Sequence, residues 1–441
     1  MVTSTQLSLL MLVALTEVPS WPRFWWDLVC DRKGLKSMGQ TIYMAGLLIG
    51  SVFWGILADR FGRKWILSWS CLQVALTNTS TIFASNFFIY CGLRFLGASG
   101  IAGIILTSMM LLVEWTTTRR RATTIAILSC SYSLGQMGLG ALAFAVQDWR
   151  NLQMAISMPF FAIFLISWWL PESARWLIVT GKPEQGLQEL HKVARINGHK
   201  EATKSLTIQV LMTSMKEEVA SEKARGSLLE LFLVPMLCRR SCIMFVTCFC
   251  LVMSYYGLVL DLQNLGSDIF LLQAFFGVID ILARVTTPLL LSFLGRRIIL
   301  VSFHATAGVS ILANTLLPRD LQTLRVVFAV LGRGCFGIIF TCVSIYKSEL
   351  YPTALRMTAD SFVQAGGRLG SVIGPLIRMT QPLLAPVVYG VLPIASSLIL
   401  FFLPETRGFP LPDTMQDLEN QKSAAAKGNQ RQVVITESTS F

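Results

Sequence analysis

Four charged residues interrupt apolar sequence in the second half of the chain: Asp280, Arg284, Arg333 and Arg368. A charge at bilayer depth costs about 2.5–3.5 kcal/mol on insertion scales, so such a residue faces a cavity or a partner. One acid against three guanidinium groups leaves net positive charge. The planar donor fork of each guanidinium matches a carboxylate or a sulfate. The chemistry open to this set is reversible capture of an anion. Each arginine also has a purely structural use. Asp280 and Arg284 are four residues apart on one helix face and can satisfy each other. Arg333 can bond to backbone carbonyls of a neighbouring helix. Arg368 has no acid within a helical turn and is the strongest ligand candidate.

Catalytic constellations are missing. There is no P-loop, no G-x-S-x-G and no H-E-x-x-H, and the three histidines (His191, His199, His304) are dispersed. His304 stands alone in an apolar run and reads as a satisfied helix residue. No cofactor or metal set is expected, and neither an enzyme nor an ATP-driven pump fits.

The elements that must hold these residues are membrane helices. The chain has 441 residues, 53% hydrophobic and 14% charged, where a soluble domain carries about a quarter charged residues. Apolar runs of about 18 residues or more read as spans. Eleven are expected, at 40–58, 65–86, 90–113, 122–146, 152–170, 240–261, 268–294, 298–317, 324–346, 358–378 and 381–403. The formal charge of +12 lies between spans, the pattern of membrane topology and not of a nucleic-acid surface. Basic clusters alternate along the connections: Arg60, Arg63 and Lys64; Arg119 to Arg121; Arg296 and Arg297; Lys347 and Arg356. By the positive-inside rule these face the cytoplasm together with the tail. The resulting organisation is an extracellular remnant at 1–39, a five-span bundle at 40–170, a cytoplasmic loop at 171–239, a six-span bundle at 240–404 and a disordered cytoplasmic tail at 405–441.

The halves repeat. DRFGRK at 59–64 matches FLGRR at 293–297, and PES at 171–173 matches PET at 404–406. Gly62 to Gly295 and Pro171 to Pro404 are separated by one and the same offset. Parallel repeats side by side describe a transporter with its site at the repeat interface.

With these residues in view, the chain resembles the major facilitator superfamily. Within it, the chain resembles the organic anion and cation transporter family (solute carrier 22 type), on its anion branch. The resemblance rests on WDLVCDRKGLKS (26–37), ADRFGRK (58–64), PESARWLI (171–178), YYGLVLDLQ (255–263), FLGRR (293–297), ELYPTALR (349–356), GRLGSVIGPL (367–376) and PETRGFPLPDT (404–414). It implies an all-α, two-bundle fold and alternating-access transport of organic anions at the plasma membrane, by exchange or facilitated movement. Sulfated or carboxylated amphipaths such as steroid conjugates are the expected substrates. Arg368 matches the basic residue that separates anion from cation transporters. Arg284 and Arg333 match lysines implicated in anion binding. Tyr255, Tyr256, Phe336 and Phe340 match aromatic positions of the cavity wall. Asp59, Arg60, Gly62 and Arg63 match the gating loop, and Glu114, Arg119, Glu172, Arg175, Arg296, Glu349, Arg356, Glu405 and Arg407 extend its network.

One departure is large. The family has twelve helices, the first followed by a long cysteine-rich loop, and this chain matches only from near the end of that loop. The expectation is a variant lacking that helix and loop, with Cys30 deprived of loop partners. A non-transporting protein, retained or acting by interaction, is the alternative function. The terminus Thr439-Ser440-Phe441 fits a PDZ-domain ligand.

Overall fold

Inside a bilayer every backbone N–H and C=O must be satisfied within the protein, which leaves the helix as the form for long apolar runs. The computed structural model describes residues 33–116, 118–146, 148–196, 207–209, 211, 213, 228–261, 269–318, 320–351, 353–381 and 384–407. Cys30, the rest of residues 1–32, the tail beyond residue 407 with its PDZ-type end, and the side chains of Arg119 and Arg356 lie outside this description.

The first half contains α1 (Lys33–Phe61), α2 (Arg63–Thr81), α3 (Phe87–Trp115), α4 (Thr118–Ala145) and α5 (Trp149–Ser167). Short helices α6 (Ala174–Val179), α7 (Pro183–Ile196) and α8 (Leu228–Leu233) follow in the central hydrophilic segment. The second half contains α9 (Pro235–Asp261), α10 (Ile269–Phe293), α11 (Arg296–Leu316), α12 (Gln322–Leu350), α13 (Thr353–Thr380) and α14 (Ala385–Leu400). The eleven longest of these helices, α1 to α5 and α9 to α14, fall where the eleven apolar runs lie. Seven are long and apolar enough to cross a membrane: α1, α3, α5, α9, α10, α11 and α12. α2, α4 and α13 are less apolar than these, and α14, at 16 residues, is shorter.

Each half has its own core. Tyr43, Met44, Leu67, Ile101, Ile104 and Phe160 anchor the first, and Met244, Phe276, Phe336, Ile339, Tyr346 and Tyr389 the second. The halves meet along two seams, α4 against α10 and α1 against α13. On the first seam the Gln273 side-chain amide donates to Gln136 at 2.9 Å. On the second, α13 stacks on α9 as well, with Gly366 and Gly370 against the backbone carbonyls of Phe245 and Phe249.

The internal repeat has a physical cause. The first N–H groups of a helix lack intrahelical partners, and a carboxylate there also meets the positive end of the helix dipole. Glu172 accepts from the backbone N–H of Arg63 and Lys64, both at 3.1 Å. Glu405 accepts from Arg296 and Arg297, at 2.8 and 3.1 Å. A Cβ at Gly62 or at Gly295 would collide with the capping carboxylate. Gly62 also has φ of 104°, a conformation that strains any other residue. Glycine and acid are therefore coupled parts of one cap, and the cap recurs once in each half. Residues 404–407 belong structurally to the end of the second bundle, since Glu405 holds α11 in place.

Candidate functional site

A cavity of about 390 Å³ opens between the halves. Four helices of the second half build most of it, each through one face. α12 contributes Gly337, Phe340, Val343, Ser344 and Lys347; α13 contributes Gln364, Gly367, Arg368 and Ser371. These spacings of three and four residues are what a single helix face produces. α9 brings Cys248, Leu251, Val252, Tyr255 and Tyr256, and α10 brings Asp280 and Arg284. From the first half α4 reaches across with Tyr132.

The charges are arranged differently from the helical spacing. Asp280 pairs with Arg333 of α12, not with Arg284 on its own helix. Arg333 donates from Nε to Oδ1 at 3.2 Å and from Nη2 to Oδ2 at 2.6 Å. The two side chains are 5% and 2% exposed. Two parallel bonds match both oxygens of the carboxylate, which a guanidinium one turn away on the same helix cannot do so well. The guanidinium of Arg333 also stacks 4.5 Å from the centre of the Tyr255 ring and 5.6 Å from that of Phe276. Arg333 is thus a buried support under the aromatic wall and not part of its surface.

Arg284 and Arg368 are half-buried, line the cavity and form no ion pair among the described residues. The Arg284 Nε has no hydrogen-bond partner among the described residues. Lys347 pairs with Asp360. Of the four cations around the cavity, two are offset by carboxylates among the described residues and two are not.

The aromatic residues divide. Tyr255, Tyr256 and Phe340 face the cavity, with Tyr255 packed edge-on to the other two at 5.3 Å. Phe336 does not: it is fully buried behind Tyr255, with ring centres 6.0 Å apart. The expectation that it lines the wall is corrected, because position 336 falls on the α12 face turned into the bundle. Tyr132, Ser344 and Gln364 were not singled out from the sequence, and Lys347 was read there only as a basic loop residue; it lies in the last turn of α12 and lines the cavity. The stripe Gly337, Phe340, Ser344, Lys347 was the available signal, readable only once the inward face of α12 is known. His304 is fully buried, with Nδ1 2.8 Å from the Leu300 carbonyl oxygen.

The basic loops form two clusters. In the first half Arg63 donates to the Ala58 carbonyl at 3.1 Å, and it pairs with Asp59 at 3.1 Å and Glu114 at 3.5 Å. Trp176 Nε1 donates to the Asp59 carbonyl, Arg60 lies over the Phe61 ring, and Arg175 sits in the first turn of α6. Burial pushes the Glu172 carboxyl up, against the backbone N–H donors of Ser173, Lys64 and Arg63 that pull it down. In the second half Arg296 binds Glu349 through Nε and Nη2 at 3.1 Å, and donates to the Leu291 carbonyl at 3.2 Å. Arg407 donates to the carbonyls of Phe293 and Ser292. Among the described residues, these bonds close each half on itself.

A helical two-bundle fold with a cavity that sets cationic side chains in a largely apolar wall between its halves is the architecture of a membrane transporter. The model of the Major Facilitator Superfamily matches residues 33–375. Human solute carrier family 22 member 11 is 65% identical over 420 residues, covering 94% of this chain and 76% of that one. Human solute carrier family 22 member 12 is 46% identical over 419 residues, with the same coverage. The steroid transmembrane transporter SLC22A24 of Microcebus murinus is 44% identical over 410 residues, 92% of this chain and 74% of that one. Among solved structures, a partially occluded inward-open form of the E. coli xylose transporter XylE superimposes with a TM-score of 0.73. It covers 93% of this chain and 98% of its own at 16% identity, a likeness of fold alone. The chain belongs to solute carrier family 22 of the major facilitator superfamily. It is a multi-pass membrane transporter and not an enzyme.

Proposed function

We propose that the chain carries organic anions, sulfated or carboxylated amphipaths such as steroid conjugates, by alternating access. The observation that carries this reading is the pair Arg284 and Arg368, uncompensated among the described residues and facing one cavity. An uncompensated cation in a low-dielectric wall is stabilised by an anion and repels a second cation. Tyr255, Tyr256 and Phe340 supply the apolar surface that an amphipath needs beside its head group. Names of relatives point the same way, since SLC22A24 is called a steroid transmembrane transporter.

The two separate cores, joined along two helix–helix seams, suit rocking of one bundle against the other. The Asp59 and Arg296 clusters each bond within one half, so each travels with its own bundle during that motion. Exchange against another anion fits better than proton coupling, because both acids of the cavity region are held by basic partners. By the positive-inside rule the basic loops before α2 and α11, and with them the C-terminus, lie on the cytoplasmic side of the plasma membrane.

The test is uptake of a radiolabelled sulfated steroid by cells expressing the full chain, with surface biotinylation. Arg368→Ala abolishes uptake while surface expression persists. Undiminished uptake by that variant refutes the anion-binding role of Arg368.

A further inference from the structure

The cavity-facing stripe of α12 continues past Arg284 and Arg368 to Lys347, toward the end of the bundle that carries the FLGRR loop. Lys347 is three residues from the end of α12 at Leu350, about 5 Å along the axis at 1.5 Å per residue. Arg284 is nine residues from the same end of α10, about 14 Å, and Arg368 fifteen residues from the start of α13, about 22 Å. The three cations form a series from the middle of the bundle to its mouth.

Lys347 differs from the other two in having a competitor within the protein. Its ammonium pairs with Asp360, whose second oxygen accepts from the Gln364 amide at 2.7 Å. The Asp360 side chain is 33% exposed, so water can take over its solvation when the pair opens. That contrasts with the Asp280–Arg333 pair, sealed at 5% and 2%. An ammonium has three donors, so Lys347 can engage an incoming oxyanion before it releases Asp360. Ser344, exposed one turn along the same stripe, offers a hydroxyl, and Gln364 an amide, to the same space.

We infer that Lys347, with Ser344 and Gln364, forms a second, shallower subsite for the carboxylate or sulfate head of the transported anion, and that Asp360 competes with the anion for Lys347. This rests on the organic-anion reading above. An anion leaving the deep arginines meets a cation at the mouth before it reaches water. Asp360 then reclaims Lys347, so the mouth does not retain the anion. The subsite is accessible only when the cavity opens on the face of the basic loops.

The alternative is a structural ion pair, and the two readings differ in sign and in sidedness. The test measures KM for estrone sulfate from each face of the membrane, in vesicles of both orientations carrying the full chain. Lys347→Gln raises KM at the loop face about three- to tenfold and leaves the opposite face within about twofold. Asp360→Asn, which frees Lys347, lowers KM at the loop face. The double variant behaves as Lys347→Gln alone, and Lys347→Arg stays near the parent chain, which keeps the test open should Lys347→Gln not reach the membrane. Shifts of the same direction in both single variants, equal shifts at both faces, or no shift at all overturn the subsite. If the parent chain carries no estrone sulfate from either face, the transport reading fails and the subsite with it. A transporting parent with same-direction shifts removes only the subsite.

Discussion

Removing one partner of the Asp280–Arg333 pair leaves a lone charge in a dry site. Both side chains are at most 5% exposed, and two hydrogen bonds of 3.2 and 2.6 Å join them. Breaking a buried pair on one side costs about 3–5 kcal/mol, whereas replacing both partners by neutral groups is often close to neutral. Arg333→Gln and Asp280→Asn are each expected to fall in that range. The double variant, with two amides able to bond to each other, is expected to cost less than either single one. The implied coupling reaches or exceeds the roughly 3 kcal/mol at the top of ordinary neighbouring contacts. Detergent-solubilised full chain, heated in steps and followed by fluorescence-detected size exclusion, ranks the four proteins. Unfolding in detergent is irreversible, so the readout is an apparent melting temperature and an order and not a free energy. Single variants that melt with the parent chain would refute the buried-pair account, as would a double variant that loses as much as the two singles together.

Two other pairs of substitutions separate wall from core and backbone from space. Phe340→Ala raises KM for an aromatic anion with little change in melting temperature, whereas Phe336→Ala costs about 3–5 kcal/mol of stability and leaves KM near the parent value; both are read from uptake kinetics and thermal stability. Gly370→Ala drives a methyl into the Phe249 carbonyl and to 3.2 Å from the Met253 nitrogen, so α9 and α13 must part, at about 1–3 kcal/mol and with reduced surface expression. Gly92→Ala, with nothing within 4 Å, is the matched control and is neutral or slightly stabilising in the same assays.

Much of the architecture was legible in the residues. Apolar runs marked where the eleven long helices fall, and seven of those are long and apolar enough to cross a bilayer. The offset shared by two unrelated motifs announced two like halves. Its cause, a glycine beside a carboxylate that caps the next helix, is visible in Gly62 with Glu172 and Gly295 with Glu405. Charge inside apolar sequence also singled out Arg284 and Arg368, since an ionised group in such a run must face something polar.

What it faces was decided by tertiary structure. Helical periodicity states which residues share a face, and on that basis Asp280 and Arg284 belong together. It does not state which helix that face meets. α10 meets α12, so Asp280 bonds to Arg333, and Arg284 is released to the cavity. The rotation of α12 sends Phe336 inward and Phe340 outward, four residues apart. The same rotation brings Lys347 to the mouth, and the seam of α4 with α10 brings Tyr132 of the other half to the wall. Side-chain type and spacing along one chain set the menu of partners; the packing of helices distant in sequence selects among them.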